Sequence, residues 1–206
     1  MALEFSSERR SVALARGEAV LAEAVEHHGG RGANALGLIE KVLTEAKVDR
    51  ADIGTIAVGL GPGSYTGIRA AIAVAQGWQL ARGVRLLGVS SVESLAAEAQ
   101  AQKLWGRVNL AIDAQRGEFY LSTWELTESS RKELSALKIV SAPVVAAASA
   151  QGEICVGPEM ATALFPSAAT IARLAAGRSD FVSGEQLVPI YLRETTFVKT
   201  PEPRAV

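Results

Sequence analysis

The chain has 206 residues, 49% of them hydrophobic and 21% charged, with 21 Lys+Arg against 22 Asp+Glu and no basic cluster, so direct, strong binding of nucleic acid is not supported. A single cysteine, Cys155, excludes an internal disulfide and any cysteine-based zinc cluster, and reads as a small buried hydrophobe. No apolar run reaches the roughly 20 residues of a membrane span, and the opening MALEFSSERRSVAL lacks a signal-peptide pattern, so a reducing, cytoplasmic setting is expected.

In chain order, residues 1–5, SVALAR (11–16) and AVLAEAVE (19–26) read as an N-terminal strand meander with a turn at Gly17-Glu18. HHGGRG breaks the pattern. From Ala33 to Ala46 the apolar residues fall at helical spacing, with Glu40, Lys41 and Glu45 outside the stripe. IGTIAVGL (53–60) is a buried strand, followed by a glycine turn and a helix to about Arg82. VRLLGV (84–89) is another strand, and Ser90 or Ser91 followed by Glu93 starts the next helix. RVNLAIDA (107–114) and GEFYLSTWEL (117–126) read as paired strands, TESSRKELS as an exposed turn, and EICVG (153–157) as a short strand. PEMATALF opens a helix with proline in its first turn, SAATIARLAAG forms another, and the tail PEPRAV is loose. Strand–helix alternation after a meander indicates an α/β sheet with helices on its faces.

The glycine turn, GLGPGSYTG (59–67), resembles a phosphate cradle: glycines expose backbone amides, and Ser64 or Thr66 can cap the helix. Gly67 is followed by Ile68 and Arg69 rather than the Lys-Ser/Thr of a Walker loop, and the glycine spacing is not that of a dinucleotide fingerprint. Two readings stay open: a tight turn without ligand, or a contact for an anion, nucleotide or partner through Gly61, Gly63, Ser64, Tyr65, Thr66, Gly67 and Arg69. The helix beyond it is apolar nearly all round, with a small-residue edge at Ala70, Ala73, Val74, Gly77 and Ala81. That edge permits close approach of a second helix, in the core or from a partner.

ALEFSSERRSVAL, GLGPGSYTGIRAAIAVAQGWQLA, AIDAQRGEFY (111–120) and PIYLR (189–193), in that order, resemble the signature segments of the bacterial TsaB family, also called YeaZ. The resemblance implies the actin-like, sugar-kinase-like ATPase fold of two ribonuclease-H-like lobes. Here these are 1–103 as the N-terminal lobe and 104–206 as a reduced C-terminal lobe. It implies a non-catalytic scaffold or activator in the complex that makes N6-threonylcarbamoyladenosine in tRNA. Such a subunit pairs with the transferase TsaD, its paralogue, and recruits the ATPase TsaE. It forms a homodimer when alone, touches tRNA only indirectly and contacts no membrane. Pairing runs through the helices after the third and fourth strands, here Ala35, Ile39 and Val42 together with Ala70, Ala73, Val74, Gly77 and Ala81. No cofactor is implied for the isolated chain, and an adenine nucleotide is implied at most at the interface of the full complex.

The transferase's H-x-x-x-H metal motif is missing, since His27 and His28 are adjacent. The family's first-strand Asp is replaced by Glu4, without the following glycine, which weakens phosphate binding there. Asp113, Arg116 and Glu118 form a polar cluster with two readings: a turn braced by an Asp113–Arg116 pair with Glu118 exposed, or a contact for the third subunit or a nucleotide. Trp105 and Trp124 read as packing residues. The alternative function is a small-molecule kinase or ATPase of the same fold. A peptidase lacks any visible nucleophile–base set.

Overall fold

The computed structural model describes residues 1–27 and 34–193, which form two five-stranded sheets. The first sheet is built from β1 (Ala2–Glu4), β2 (Arg9–Arg16), β3 (Ala19–His27), β4 (Thr55–Gly59) and β5 (Arg85–Val89), in the order β3-β2-β1-β4-β5. β1, β2 and β3 pair antiparallel, while β4 and β5 add in parallel. Parallel neighbours need crossovers, and these are α1 (Ala35–Ala46) and α2 (Tyr65–Arg82). Alternation along β2 separates two layers: Val12 and Leu14 pack with α1 and α2, and Ala13 packs with the last helix on the opposite face. Phe5, Leu3, Ile56, Ile68 and Leu86 are fully buried in the α1–α2 layer, each worth about 1.5–3 kcal/mol of transfer free energy.

The second sheet repeats the plan. β6 (Gly106–Gln115), β7 (Glu118–Leu126), β8 (Arg131–Ser141), β9 (Ile154–Gly157) and β10 (Thr162–Ala163) lie in the order β10-β9-β6-β7-β8. The antiparallel meander and the two parallel additions recur in the same sequence. This is the ribonuclease-H-like order twice over, the arrangement of the actin-like fold. The second copy is reduced: β10 has two exposed residues, and a turn stands where the first copy has α2. Its one crossover helix is α4 (Ala142–Ala150).

Each half lends a helix to the other. α3 (Ser91–Ala101) follows β5 but buries Val92, Leu95, Ala96 and Ala99 in the second core. α5 (Ala168–Ala175) follows β10 but packs Ala168, Ala169 and Ile171 on the first sheet. Where they cross, Ser167 Oγ and Thr170 Oγ1 both donate to Glu98 Oε1, at 2.6 and 2.5 Å.

Two segments differ from the sequence expectation. Only 127–130 of TESSRKELS turns; Arg131 onward is β8, an edge strand whose exposed polar residues gave no apolar alternation. PEMATALF is not helical: Met160 N and Leu164 N both donate to Gly157 O, curling the chain into a turn before β10. APVVAAASA, biased toward small apolar residues, is α4. Cys155 is half-buried rather than buried, with Asn109 Nδ2 3.8 Å from its sulfur. His28 and the tail PEPRAV lie outside the described residues, and His27 closes β3. Among the described residues no helix is long and apolar enough to cross a membrane.

Candidate functional site

The glycine turn is shaped by its neighbours within the chain. A β-carbon on Gly63 would strike the Ser6 carbonyl oxygen, and one on Gly67 would strike that of Phe5. The turn therefore lies directly against the chain between β1 and β2, and Gly63 also adopts φ +141°, a region that disfavours other residues. Three of its amides are spent on the same packing. Ser64 N donates to Ser6 O at 2.6 Å, Gly61 N to Ser91 Oγ at 3.0 Å, and Gly67 N to the N-cap Ser64 Oγ at 3.3 Å. Tyr65 and Thr66 are exposed at the helix start, and Arg69 donates to Tyr65 Oη at 2.7 Å.

Glu4 ties this turn to β1 and α3. Fully buried, it accepts from Ser6 N and from Ser91 Oγ, both at 2.7 Å. Burial pushes its carboxyl above the usual range, and the hydrogen bonds from Ser6 and Ser91 pull the other way. The carboxylate thus points into the fold, where Gly59 leaves room for it. Sequence reasoning singled out Glu4 but not its partner Ser91, which only the β1–α3 juxtaposition reveals.

α2 divides cleanly. Ile68, Ala71, Ile72 and Ala75 are buried against the sheet. Gln76 Nε2 donates to Gly184 O and Gln79 Oε1 accepts from Gly184 N, both at 2.7 Å, fastening a second edge to the C-terminal segment. The small-residue edge stays open: Ala73, Gly77 and Ala81 are exposed, Ala70 and Val74 are half-buried, and a β-carbon on Gly77 would meet nothing. Leu80, beside them, is 89% exposed. The α1 residues expected to share this surface do not. Ala35, Ile39 and Val42 are buried in the chain's own core, because the apolar stripe of α1 is the face that covers the sheet. That part of the expected interface is corrected.

The two lobes border a half-open cavity of about 510 Å³ lined by Ser6, Arg10, Ser64, Tyr65, Asp113 and Glu159 among others. The expected Asp113–Arg116 brace is absent: Asp113 accepts from Gln115 N at 2.8 Å and from Gln115 Nε2 at 2.6 Å, while Arg116 is exposed with φ +60°. Glu118 is half-exposed and pairs with Arg193 at 2.6 Å, and Arg193 also donates to Ala114 O at 3.0 Å. PIYLR is therefore a strap, since Ile190 N donates to Leu60 O at 2.8 Å on the first lobe. Tyr191 stacks on Tyr65 at 5.1 Å between ring centroids, and burial, aided by Tyr65, pushes its hydroxyl up to about 12. Glu159 Oε2 accepts from Asp113 N at 3.2 Å, and its carboxyl is raised chiefly by burial. Trp124 packs on the second core, with Nε1 donating to Ser122 Oγ, whereas Trp105 is 42% exposed. Among the described residues no cluster of histidine, cysteine and carboxylate side chains is arranged to hold a metal ion.

Comparison with known proteins places this geometry. The TsaD family model, described as tRNA N6-adenosine threonylcarbamoyltransferase, matches residues 22–155. TsaB of Escherichia coli (strain K12), a tRNA threonylcarbamoyladenosine biosynthesis protein, is 36% identical over 94 residues, covering 46% of this chain and 41% of that one. Its Bacillus subtilis (strain 168) counterpart is 28% identical over 126 residues, covering 61% and 54%. The chain thus matches these curated relatives over 41% and 54% of their lengths. A crystal structure described as an uncharacterized protein with similarity to peptidase YeaZ from Pseudomonas aeruginosa superposes with TM-score 0.78 at 30% identity, covering 93% of this chain and 98% of that one. YeaZ from Pseudomonas aeruginosa superposes with TM-score 0.76 at 27% identity over the same shares. With a family model matched across both sheets and a similar structure covered almost end to end, the chain belongs to the TsaB (YeaZ) family.

Proposed function

We propose that this chain is a non-catalytic subunit of the machinery that makes N6-threonylcarbamoyladenosine in tRNA, and that it pairs with a TsaD-like transferase paralogue through the open edge of α2. The observation that carries the pairing is Ala70-Ala73-Val74-Gly77-Ala81. It is a small-residue row on an 18-residue helix, with Ala73, Gly77 and Ala81 exposed while Ile68, Ala71, Ile72 and Ala75 are buried against the sheet. Such a row lets two helix backbones approach closely, and exposed Leu80 adds apolar area to it. The same edge serves a homodimer when the partner is absent, and a TsaE-like ATPase joins the pair. The chain meets tRNA only through that assembly, in the cytoplasm.

The non-catalytic reading is supported by the fate of Glu4. A first-strand carboxylate that acts on a nucleotide has to face the interlobe cleft, and this one is engaged by Ser6 and Ser91 within the fold. An adenine nucleotide, where the full complex uses one, is then held jointly with the partner. The peptidase wording of a structural neighbour does not carry over: Cys155 lies on β9 of the second sheet and His27 on β3 of the first. Co-expression with the TsaD-like paralogue tests the proposal. A stable complex, together with loss of the modified base in depleted cells, is expected; normal modified-base levels in those cells, with no complex, would falsify it.

A further inference from the structure

Arg10 holds a charge that the fold does not use. It is 7% exposed on β2, and its Nε and Nη1 have no hydrogen-bond partner among the described residues. Glu26 stands opposite it in the β2–β3 register and also has an unpartnered Oε2, yet the two form no ion pair among the described residues. A buried guanidinium left this way is costly, and buried polar groups are as a rule satisfied by something. Arg10 lines the interlobe cavity of about 510 Å³, together with Ser6, Ser64 and Tyr65. Ser64 and Tyr65 are the N-cap and first residue of α2, whose dipole places positive potential at that end. Buried cation and helix N-terminus are independent features, and both favour an anion in the same space.

The rest of the lining limits the size of that charge. Glu8, Asp113 and Glu159 also border the cavity. A polyphosphate would set several negative charges against these three carboxylates with one guanidinium to offset them. A single compact anionic group at the Arg10 end avoids that repulsion, and guanidinium suits both carboxylate and phosphate oxygens.

We propose that the interlobe cavity binds a small molecule through one compact oxyanion, a carboxylate or a phosphate, held on the Arg10 guanidinium beside the first turn of α2. The proposal does not depend on pairing with a transferase and is tested on the isolated chain. Thermal unfolding is followed with inorganic phosphate, with acetate, and with sodium chloride at matched ionic strength. Phosphate or acetate is expected to raise the midpoint by about 3–6 °C at tenfold its dissociation constant, with no such rise in chloride. A response to phosphate alone identifies the group as phosphate, and a response to acetate identifies a carboxylate. Arg10→Met is expected to abolish the rise and, by removing an unpaired buried charge, to unfold at a higher temperature than the parent without ligand. Arg10→Lys keeps the charge but loses the planar fork, and is expected to weaken binding by about tenfold while folding normally. The proposal is overturned if neither probe moves the midpoint, if both variants respond like the parent, or if Arg10→Met unfolds earlier than the parent without ligand. A larger rise with magnesium-free ADP than with either probe would also overturn it.

Discussion

A buried carboxylate couples the first strand to the glycine turn, and its environment makes a pH prediction. Glu4 has its carboxyl raised above the ordinary value of 4.5, chiefly by burial. The folded chain therefore keeps this proton at pH values where the unfolded chain has lost it. The resulting contribution to stability is fully present below about pH 4.5 and is lost as pH rises through the folded-state value. Glu4→Gln keeps an acceptor for Ser6 N and a polar contact for Ser91, and cannot ionise. Urea denaturation across pH should show it costing less than about 1 kcal/mol and lacking the decline above pH 4.5 that the parent shows. Glu4→Ala leaves the Ser6 N–H and the Ser91 hydroxyl proton without their acceptor beside a cavity, and should cost about 2–4 kcal/mol at neutral pH. The replacement of a family Asp by Glu4 was legible in the sequence. The Ser91 contact, 87 residues away, was not, because no local pattern announces it.

Two glycines of α2 should respond in opposite directions. Gly67→Ala would place a β-carbon on the Phe5 carbonyl oxygen, which belongs to backbone and cannot swing aside; a loss of about 2 kcal/mol or more is expected in chemical denaturation. Gly77→Ala meets open space in mid-helix and should stabilise by about 0.5–1 kcal/mol. The start of α2 was readable because Ser64 and the glycines are local signals, and Ser64 is indeed the cap. Its small-residue edge was readable too, but whether it faced the core or the surface was not. For α1 the same uncertainty resolved the other way, with Ile39 and Val42 turned inward. Periodicity shows that a stripe is apolar; only the position of the sheet shows which stripe remains uncovered. β8 escaped notice for the converse reason: edge strands carry charge that keeps them from pairing further, so RKEL looks like a loop.

The two lobes are bound by exchanged helices, by Glu98 at their crossing and by the PIYLR strap. Glu98→Ala removes the acceptor shared by Ser167 and Thr170, and should lower stability by about 1–3 kcal/mol with a single, equally steep transition. Two separated transitions would mean that the lobes unfold independently. The half-exposed Arg193–Glu118 pair is a weaker tie, worth at most about 1 kcal/mol. The duplicated topology could be expected from the family resemblance, but the exchange of α3 and α5 could not, since each helix follows its own lobe in sequence while packing on the other. The proposal makes the open edge of α2 the docking surface for a second helix, and light scattering of the chain mixed with its TsaD-like paralogue tests that most directly. The parent should give a one-to-one complex, and Gly77→Arg, which sets an unpaired charge in a close helix contact, should give two separate species with circular dichroism unchanged. A Gly77→Arg chain that still pairs with full stoichiometry would contradict the assignment of this edge.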